Sequence, residues 1–321
     1  MSYRMCMLLL VVLITCNFNE KVLALCADSD TLSLDFTNKG ISDVGGALFA
    51  GCNPVASAID LSWNTITALE FNAFAIYDFN NQKYVPFSQN LRSLNLSNNR
   101  ISNISDKALT FSRNLLLLDL TNNSLTELKS GIFDSLPRLE RLILSKNRIS
   151  IIENGTFTSN LRNLKMIDLQ HNQLTSMEMW PYTIKPSSML FIFDVRHNMI
   201  NQFTNNLNYT YDLEPPYKTM TYLDFNKFTV WNDTWFTQYH PHNRKRFYLS
   251  DLSNYILVMS VNPWVCDYHM CQLVSSYQSF ILGDVLSRLI VCENPQELRQ
   301  RPLTSLSTQV LHCNTSVPII R

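Results

Sequence analysis

The stretch LLLLDLTNNSLTELKSGIFDSL, residues 115–136, decides the fold of this chain. Its apolar frame is formed by Leu115, Leu118, Leu120, Leu125, Leu128, Phe133 and Leu136, with an asparagine at position nine. The same frame recurs around asparagines that lie 24, 24, 25 and 26 residues apart: Asn99, Asn123, Asn147, Asn172 and Asn198. A unit of this length cannot bury its apolar side alone, so the period predicts a solenoid of stacked repeats.

Each column of the repeat has a predicted place. Positions four and six alternate inward from a short strand: Leu34/Phe36, Ile59/Leu61, Leu94/Leu96, Leu118/Leu120, Leu142/Leu144, Ile167/Leu169, Phe193/Val195 and Leu223/Phe225. The asparagine at position nine is expected to bond unpaired backbone groups where the chain turns, which predicts a ladder of buried amides. Position nineteen is expected to fill the convex side: Phe49, Phe74, Leu109, Phe133, Phe157 and Tyr182.

The repeat becomes irregular at two places. The unit that starts at Ala56 runs 35 residues, and it contains extra sequence from Tyr77 to Phe87. From Leu190 onward the stride stretches to 30 and then 34 residues, with units starting at Met220 and Asn254 and with Phe228 where asparagine is expected. Two aromatic-rich inserts follow, at 209–217 and 231–248. Their aromatic side chains either pack on the convex side or form a partner-contact patch.

The N-terminus predicts export. Arg4 precedes an apolar run from Met5 to Thr15, and Val22-Leu23-Ala24 fits a cleavage site, so residues 1–24 read as a signal peptide. No later stretch approaches the length of a membrane span. Six of the eight cysteines then remain, clustered at the two ends of the chain: Cys26, Cys52, Cys266, Cys271, Cys292 and Cys313. Paired cysteines in an oxidising compartment favour disulfide-bonded caps on the solenoid.

These motifs resemble the extracellular leucine-rich repeat family, of the 24-residue kind found in Toll-like receptor ectodomains. The resemblance implies an α/β solenoid: a curved horseshoe with a parallel concave sheet, an irregular convex side and disulfide-bonded caps. It implies an N-terminal cap at 25–53, repeats at 54–253, a C-terminal flanking domain at 254–316 and a tail at 317–321. It also implies the pairs Cys26–Cys52, Cys266–Cys292 and Cys271–Cys313, although Cys266 and Cys271 are separated by more residues than the family commonly has.

Sequons for N-glycosylation occur seven times, which suits a secreted glycoprotein: Asn95, Asn103, Asn122, Asn154, Asn208, Asn232 and Asn314. By register, Asn95 and Asn122 lie on the concave face. Glycans there would shield that end of the face and leave ligand binding to the units after Leu139.

The concave face carries the candidate ligand contacts. Position five gives an acidic column of Asp60, Asp119, Asp168, Asp194 and Asp224, interrupted by Asn95 and Ile143. Position eight gives His171 and His197, which fit solvated surface residues, a metal site or a pH sensor. The predicted contacts are Arg141, Lys146, Lys165, Asp168, His171, Asp194, Arg196, His197, Asp224 and Lys227.

No nucleophile elbow, phosphate loop or zinc-protease motif occurs in the sequence, so we expect neither an enzyme nor a cofactor. The zinc reading of Cys266, His269 and Cys271 is less favoured than disulfides. The formal net charge is zero, which argues against nucleic acid as the partner. The expected function is secreted recognition of an extracellular protein or glycan, in innate immunity or cell-surface signalling. A matrix-binding protein and an inhibitor of a secreted enzyme are the alternatives.

Overall fold

The computed structural model describes residues 32–49, 52–71, 73–78, 80–178, 190–204, 218–231, 255–271, 273–274 and 290–313. The predicted signal peptide, the tail, Cys26, Tyr182, most of both aromatic inserts and three sequons (Asn208, Asn232 and Asn314) lie outside these ranges. The chain forms two compact units, which meet in sequence between Leu164 and Lys165.

Unit 1 is built on a five-stranded parallel sheet. Its strands, in sheet order, are β1 (Ser33–Asp35), β2 (Ala58–Asp60), β6 (Ser93–Asn95), β8 (Leu117–Asp119) and β10 (Arg141–Ile143). The register aligns one buried position-four side chain per strand: Leu34, Ile59, Leu94, Leu118 and Leu142. This column confirms the predicted inward alternation, because neighbouring apolar side chains stack at the strand spacing.

Short strands and a hairpin complete unit 1. Two parallel pairs follow the turns, β3 (Ala68–Leu69) with β7 (Asn103–Ile104), and β9 (Glu127–Leu128) with β11 (Ile151–Ile152). The extra residues of the long repeat form an antiparallel hairpin of β4 (Ala75–Asp78) and β5 (Lys83–Pro86). The predicted position-nineteen side chains of this unit are all buried: Phe49, Phe74, Leu109, Phe133 and Phe157.

Unit 2 has a four-stranded parallel sheet. Its strands are β12 (Met166–Asp168), β14 (Leu190–Asp194), β16 (Lys218–Tyr222) and β17 (Tyr255–Val258), and a short parallel pair joins β13 (Ser176–Glu178) to β15 (Gln202–Thr204). Short 3-10 helices occur at Gly46–Phe49, Ser159–Leu161, Tyr268–Met270, Gln296–Leu298 and Leu303–Ser305, and residues 271, 273 and 274 are α-helical. No helix among the described residues is long and apolar enough to cross a membrane.

Buried asparagines hold successive turns together. Asn123 donates from Nδ2 to the carbonyls of Leu96 and Leu120, at 3.0 and 3.1 Å, and its Oδ1 accepts from the amide of Ile101 at 2.9 Å. Asparagines with the same type of bonds extend beyond the predicted run of repeats, at Asn64 in unit 1 and at Asn226 and Asn262 in unit 2. One side chain thus satisfies three buried backbone groups from two neighbouring turns.

The predicted register of the unit that starts at Met220 is wrong by two residues, whereas the units that start at Leu190 and Asn254 place Asn198 and Asn262 correctly. Asn226, and not Phe228, occupies position nine, which makes the spacing from Asn198 28 residues. Position four is Thr221, which is fully buried, and Leu223 is position six. Phe228 is buried in the next apolar column, where its ring lies 5.4 Å from Phe203 and 5.9 Å from Trp264.

Two disulfides lie in the C-terminal part of unit 2. Cys266 is bonded to Cys292 and Cys271 to Cys313, the pairing that the family resemblance implies. The short parallel pair of β18 (Trp264–Val265) and β19 (Cys292–Asn294) lies beside the first bond. Cys52 is also disulfide-bonded, but Cys26 lies outside the described residues, so their pairing stays a prediction.

Candidate functional site

The acidic column caps strand ends. In unit 2, Asp168 Oδ1 accepts from the amide of Gln170 at 2.9 Å, and Asp194 Oδ1 accepts from the amide of Arg196 at 3.2 Å. Both aspartates are buried. A short side chain that bonds the backbone two residues ahead stabilises a turn, which explains the aspartate at position five without a ligand.

Asp224 does not belong to that column. The sheet register places Tyr222 beside Asp194, and Asp194 beside Asp168. Asp224 lies two residues further along, where its buried carboxylate accepts from Ser260 Oγ at 2.8 Å and from the amide of Val261 at 3.1 Å. The prediction of three adjacent ligand-facing aspartates is therefore wrong, because it used the shifted register.

Arg196 neutralises the most buried of these carboxylates. Its guanidinium bonds both oxygens of Asp194, with Nη2 at 2.7 Å from Oδ2 and Nε at 3.0 Å from Oδ1. The guanidinium also lies 5.1 Å from the ring centroid of Tyr222, within cation–π range. Bonding to Asp194 raises the pKa of Arg196, so the guanidinium stays charged. Arg196 links two strands of unit 2 through an ion pair and a ring contact.

The side chains at position eight form an exposed stack of rings. His171 and His197 have ring centroids 4.2 Å apart and planes inclined by 6°. His197 and Phe225 repeat this arrangement at 4.3 Å and 6°. All three rings are exposed, Phe225 to 47%. We call His171, His197 and Phe225 the ring column.

The ring column follows from the backbone at position eight. Its three residues have left-handed conformations, with φ of 54°, 56° and 56°. In unit 1 the same position holds Asn98 and Asn122, which suit this conformation, and also Lys146 and the exposed Trp63, with φ of 57° and 59°. A phenylalanine with positive φ is uncommon and costs about 1–3 kcal/mol. Phe225 is 47% exposed, so burial offsets only part of that cost, and its stacking on His197 makes it the best pointer to function in unit 2.

The surroundings of His197 disfavour its charged form. Desolvation of the ring, and then the charges of His171 and Arg196, lower the pKa of His197, while Asp194 and Asp224 act in the opposite direction. At pH values below the usual pKa of histidine, His197 therefore binds a proton more readily in the unfolded chain than in the folded chain. By linkage, this histidine makes the folded state less stable as pH falls from about 7 to about 5.

Replacing His197 with asparagine should weaken this acid sensitivity. We expect the melting temperature of the wild type to fall more than that of His197→Asn between about pH 7 and about pH 5. Thermal unfolding followed by circular dichroism measures the difference. The matched control is His312→Asn, since His312 is also exposed and has a φ of 56°. Equal losses in the wild type and His197→Asn would contradict the prediction.

The predicted contacts divide between the units. Arg141 and Lys146 are exposed residues of unit 1, and the other eight belong to unit 2. Lys165 is exposed just before β12. Lys227 was expected on the concave face, but it follows the ladder asparagine Asn226, in the place that Met199 takes one turn earlier. It is removed from the candidate site, because its backbone already leads away from the strand.

Two site residues were missed by the sequence reasoning, Tyr222 and Phe225. Phe225 was predicted to point inward at position six. The signal that could have placed it is Leu223-x-x-Asn226-x-Phe228, which repeats Leu120-x-x-Asn123-x-Leu125. No group of three or more histidine, cysteine or acidic side chains among the described residues is arranged to hold a metal ion.

The sequons within the described residues differ in their surroundings. Asn103 and Asn154 are exposed. Asn95 is half-buried and donates from Nδ2 to Asp60 at 2.9 Å, while the exposed Asn122 donates to Asn98 at 2.8 Å. Glycosylation would replace a hydrogen of each donating nitrogen. Shielding of this face by glycans stays a prediction.

The family model for the leucine rich repeat matches residues 89–149 and 137–200. No curated protein sequence matches the chain significantly. Among solved structures, human 5T4 (Wnt-activated inhibitory factor 1, trophoblast glycoprotein) is 18% identical, with a TM-score of 0.60, over 88% of this chain and 95% of that one.

Two further similar structures are complexes with other proteins. Drosophila Toll, in its complex with Spatzle, is 17% identical with a TM-score of 0.54, over 88% of this chain and 32% of Toll. FLRT2, in a complex with Latrophilin 3 and Unc5D, is 21% identical with a TM-score of 0.53, over 82% of this chain and 78% of FLRT2. This chain thus spans about a third of the Toll chain. At these identities the likeness establishes the fold. Residues 89–200 are leucine-rich repeats by the match to the family model, and the chain shares the leucine-rich repeat fold with Toll and 5T4.

Proposed function

We propose that this chain is an extracellular recognition protein that binds a protein ligand through the ring column of unit 2. The observation that carries the proposal is the stack of three exposed rings, which ends in a phenylalanine at a left-handed position. The left-handed turn itself does not require a stack of rings, because unit 1 fills the same position with Asn98, Asn122 and Lys146 as well as with Trp63.

The chemistry of the ring column suits a protein surface. Aromatic side chains are enriched among the residues that contribute most to protein–protein affinity. A stack of parallel rings is also rigid, so little side-chain entropy is lost when a partner covers it. Val261 extends the apolar end of the column, since it is half exposed and its carbonyl accepts from the amide of Phe225 at 2.6 Å.

The relatives support a protein ligand in general terms. Toll is described in complex with Spatzle, and FLRT2 with Latrophilin 3 and Unc5D. A structure of TLR13 with ssRNA13 shows that nucleic acid is also a ligand on this fold. The formal net charge of zero favours protein for this chain. We further propose that the chain is secreted and acts in innate immunity or cell-surface signalling.

An array of purified secreted proteins and receptor ectodomains tests the proposal. We expect the tagged wild type to bind at least one member, and the triple variant His171→Asn/His197→Asn/Phe225→Asn to bind it at least about tenfold more weakly. Asparagine preserves the left-handed turn, as Asn98 and Asn122 do in unit 1.

His312→Asn is the control, because it changes an exposed histidine of similar backbone conformation at another place. Circular dichroism should give both variants wild-type spectra. Equal binding by the wild type and the triple variant would place the ligand site elsewhere. Binding only to matrix proteins, or inhibition of a secreted enzyme, would instead support the alternative functions.

A further inference from the structure

We propose that the ring column binds a protein segment that carries carboxylates beside an aromatic side chain, and that acid strengthens this binding. The proposal rests on the proposed function, since it names the partner chemistry and the pH response of the same site. It follows from what the two ends of the column offer a partner.

One end of the column offers imidazole edges. The faces of His171 and His197 lie against each other, with centroids 4.2 Å apart, so a partner meets mainly their exposed edges. A neutral imidazole offers one donor and one acceptor at its edge, while a protonated imidazole offers two donors. Hydrogen bonds from a charged imidazole to a carboxylate are about twice as strong as neutral ones. The histidine end therefore suits carboxylates, and it suits them better in acid.

The other end of the column is apolar. Phe225 is 47% exposed and Val261 is 50% exposed, next to the last imidazole. Neither residue can pair with an anion, but both can bury an aromatic side chain of a partner. Parallel or edge-on contact with Phe225 would extend the stack, because aromatic pairs are attractive beyond the area that they bury. This end favours a protein segment over a sulfated glycan.

The surrounding charges leave room for an anion. Asp168, Asp194 and Asp224 are all buried. Their oxygens accept from the protein itself: from Gln170, from Arg196, and from Ser260 and Val261. These carboxylates thus serve as hydrogen-bond acceptors within the protein. The histidines are the exposed titratable groups of the column.

Charged or titratable side chains lie beside His197 on its own strand and on both neighbouring strands. Beside it on the β12 side lie Asp168 and His171, on its own strand Asp194 and Arg196, and on the β16 side Tyr222 and Asp224. His171 and Arg196 oppose protonation of His197, while Asp194 and Asp224 favour it.

A bound carboxylate would add a negative charge at the exposed edge of the column. It would favour the protonated form of His197, which His171 and Arg196 oppose, so binding and proton uptake would support each other.

Random copolymers provide a probe that does not depend on finding the natural partner. Poly(Glu,Tyr) combines carboxylates with aromatic rings, and its glutamates remain mostly ionised at about pH 5. Binding to the immobilised wild-type chain would be measured by interferometry at about pH 7.5 and about pH 5. We expect about tenfold tighter binding at the lower pH.

Variants separate the ring column from a general effect of acid on net charge. His171→Asn/His197→Asn should lose the gain in acid, and His312→Asn should keep it. Phe225→Asn should weaken binding at both pH values, and Phe225→Tyr should restore it. His171→Asn alone is the second variant if the double change disturbs folding, and it should lose part of the gain.

Several outcomes would overturn the inference. One is an equal gain in acid for the wild type and the double histidine variant, and another is preference for poly(Lys,Tyr). Column-dependent binding of heparin without binding of poly(Glu,Tyr) would point to a sulfated glycan instead. A partner from the protein array that needs the column but binds equally at both pH values would overturn this inference and leave the proposed function intact.

Discussion

Asn123→Ala should lower the free energy of unfolding by about 3–5 kcal/mol. The change leaves the buried amide of Ile101 without its acceptor, and it removes one of two asparagine donors from the carbonyls of Leu96 and Leu120, which keep Asn99 and Asn147. The unsatisfied amide costs about 1–3 kcal/mol, each lost bond to a carbonyl costs about 0.5–1.5 kcal/mol, and the alanine leaves a small cavity in addition. Because the bonds join two turns of unit 1, the loss falls on the stacking of repeats.

Urea unfolding measures this loss, and the chain offers a matched control. Asn114 also donates to a carbonyl of the preceding turn, at 2.6 Å from Gln89, but this bond is exposed. We expect Asn114→Ala to cost no more than about 1 kcal/mol, because water replaces the lost partner. Similar losses for the two variants would show that the buried amide does not hold the turns together.

Much of this architecture could be predicted from sequence. Apolar side chains at positions four and six, and the asparagine at position nine, are constrained by burial at every turn. A column such as Ile59, Leu94 and Leu118 therefore keeps its residue type from repeat to repeat. The regular spacing of the asparagines fixes the register wherever the repeat length is constant.

The predicted register was wrong in the repeat where a polar residue occupies a normally apolar position. Thr221 is fully buried at position four of its repeat. The sequence around it offered Met220 and Leu223 as a more apolar frame, which shifted the assignment by two residues. Unequal repeat lengths removed the spacing that would have corrected it. That shift carried Asp224 and Lys227 into the candidate site and placed Phe225 in the core.

Residue types alone could not show which acidic side chains of the candidate site already bond the protein backbone. An aspartate at position five looks like a ligand contact in sequence, but its carboxylate can bond the backbone two residues ahead. Asp168 and Asp194 do so in unit 2, as Asp60 and Asp119 do in unit 1. The predicted pair of His171 and His197 is close in the structure, and the parallel stacking of their rings with Phe225 became visible only there.

Arg196→Ala should destabilise unit 2 by about 2–4 kcal/mol, because it leaves a buried carboxylate without its counter-ion. The side chain of Asp194 is only 3% exposed, whereas that of Arg196 is 36% exposed. In the variant, the carboxylate of Asp194 would keep the amide of residue 196 as a donor but would lose the guanidinium. Thermal and urea unfolding measure the loss. Arg299→Ala is the control, since its ion pair with Glu293 has the same 2.7 Å length but is exposed, and we expect at most about 1 kcal/mol.

A double-mutant cycle separates the loss of the pair from the burial of an unpaired charge. Arg196→Ala/Asp194→Asn should recover most of the stability, because asparagine keeps the capping acceptor, as Asn95 does when it accepts from the amide of Ser97 at 3.0 Å. A double variant no more stable than Arg196→Ala would contradict this account.

The carbonyl of Arg196 accepts from the amide of His171 at 3.0 Å, and His197 follows Arg196 in sequence, so the pair also positions the ring column. The recovered double variant should therefore regain acid-dependent binding of poly(Glu,Tyr), which an arginine that itself contacts the ligand would not allow.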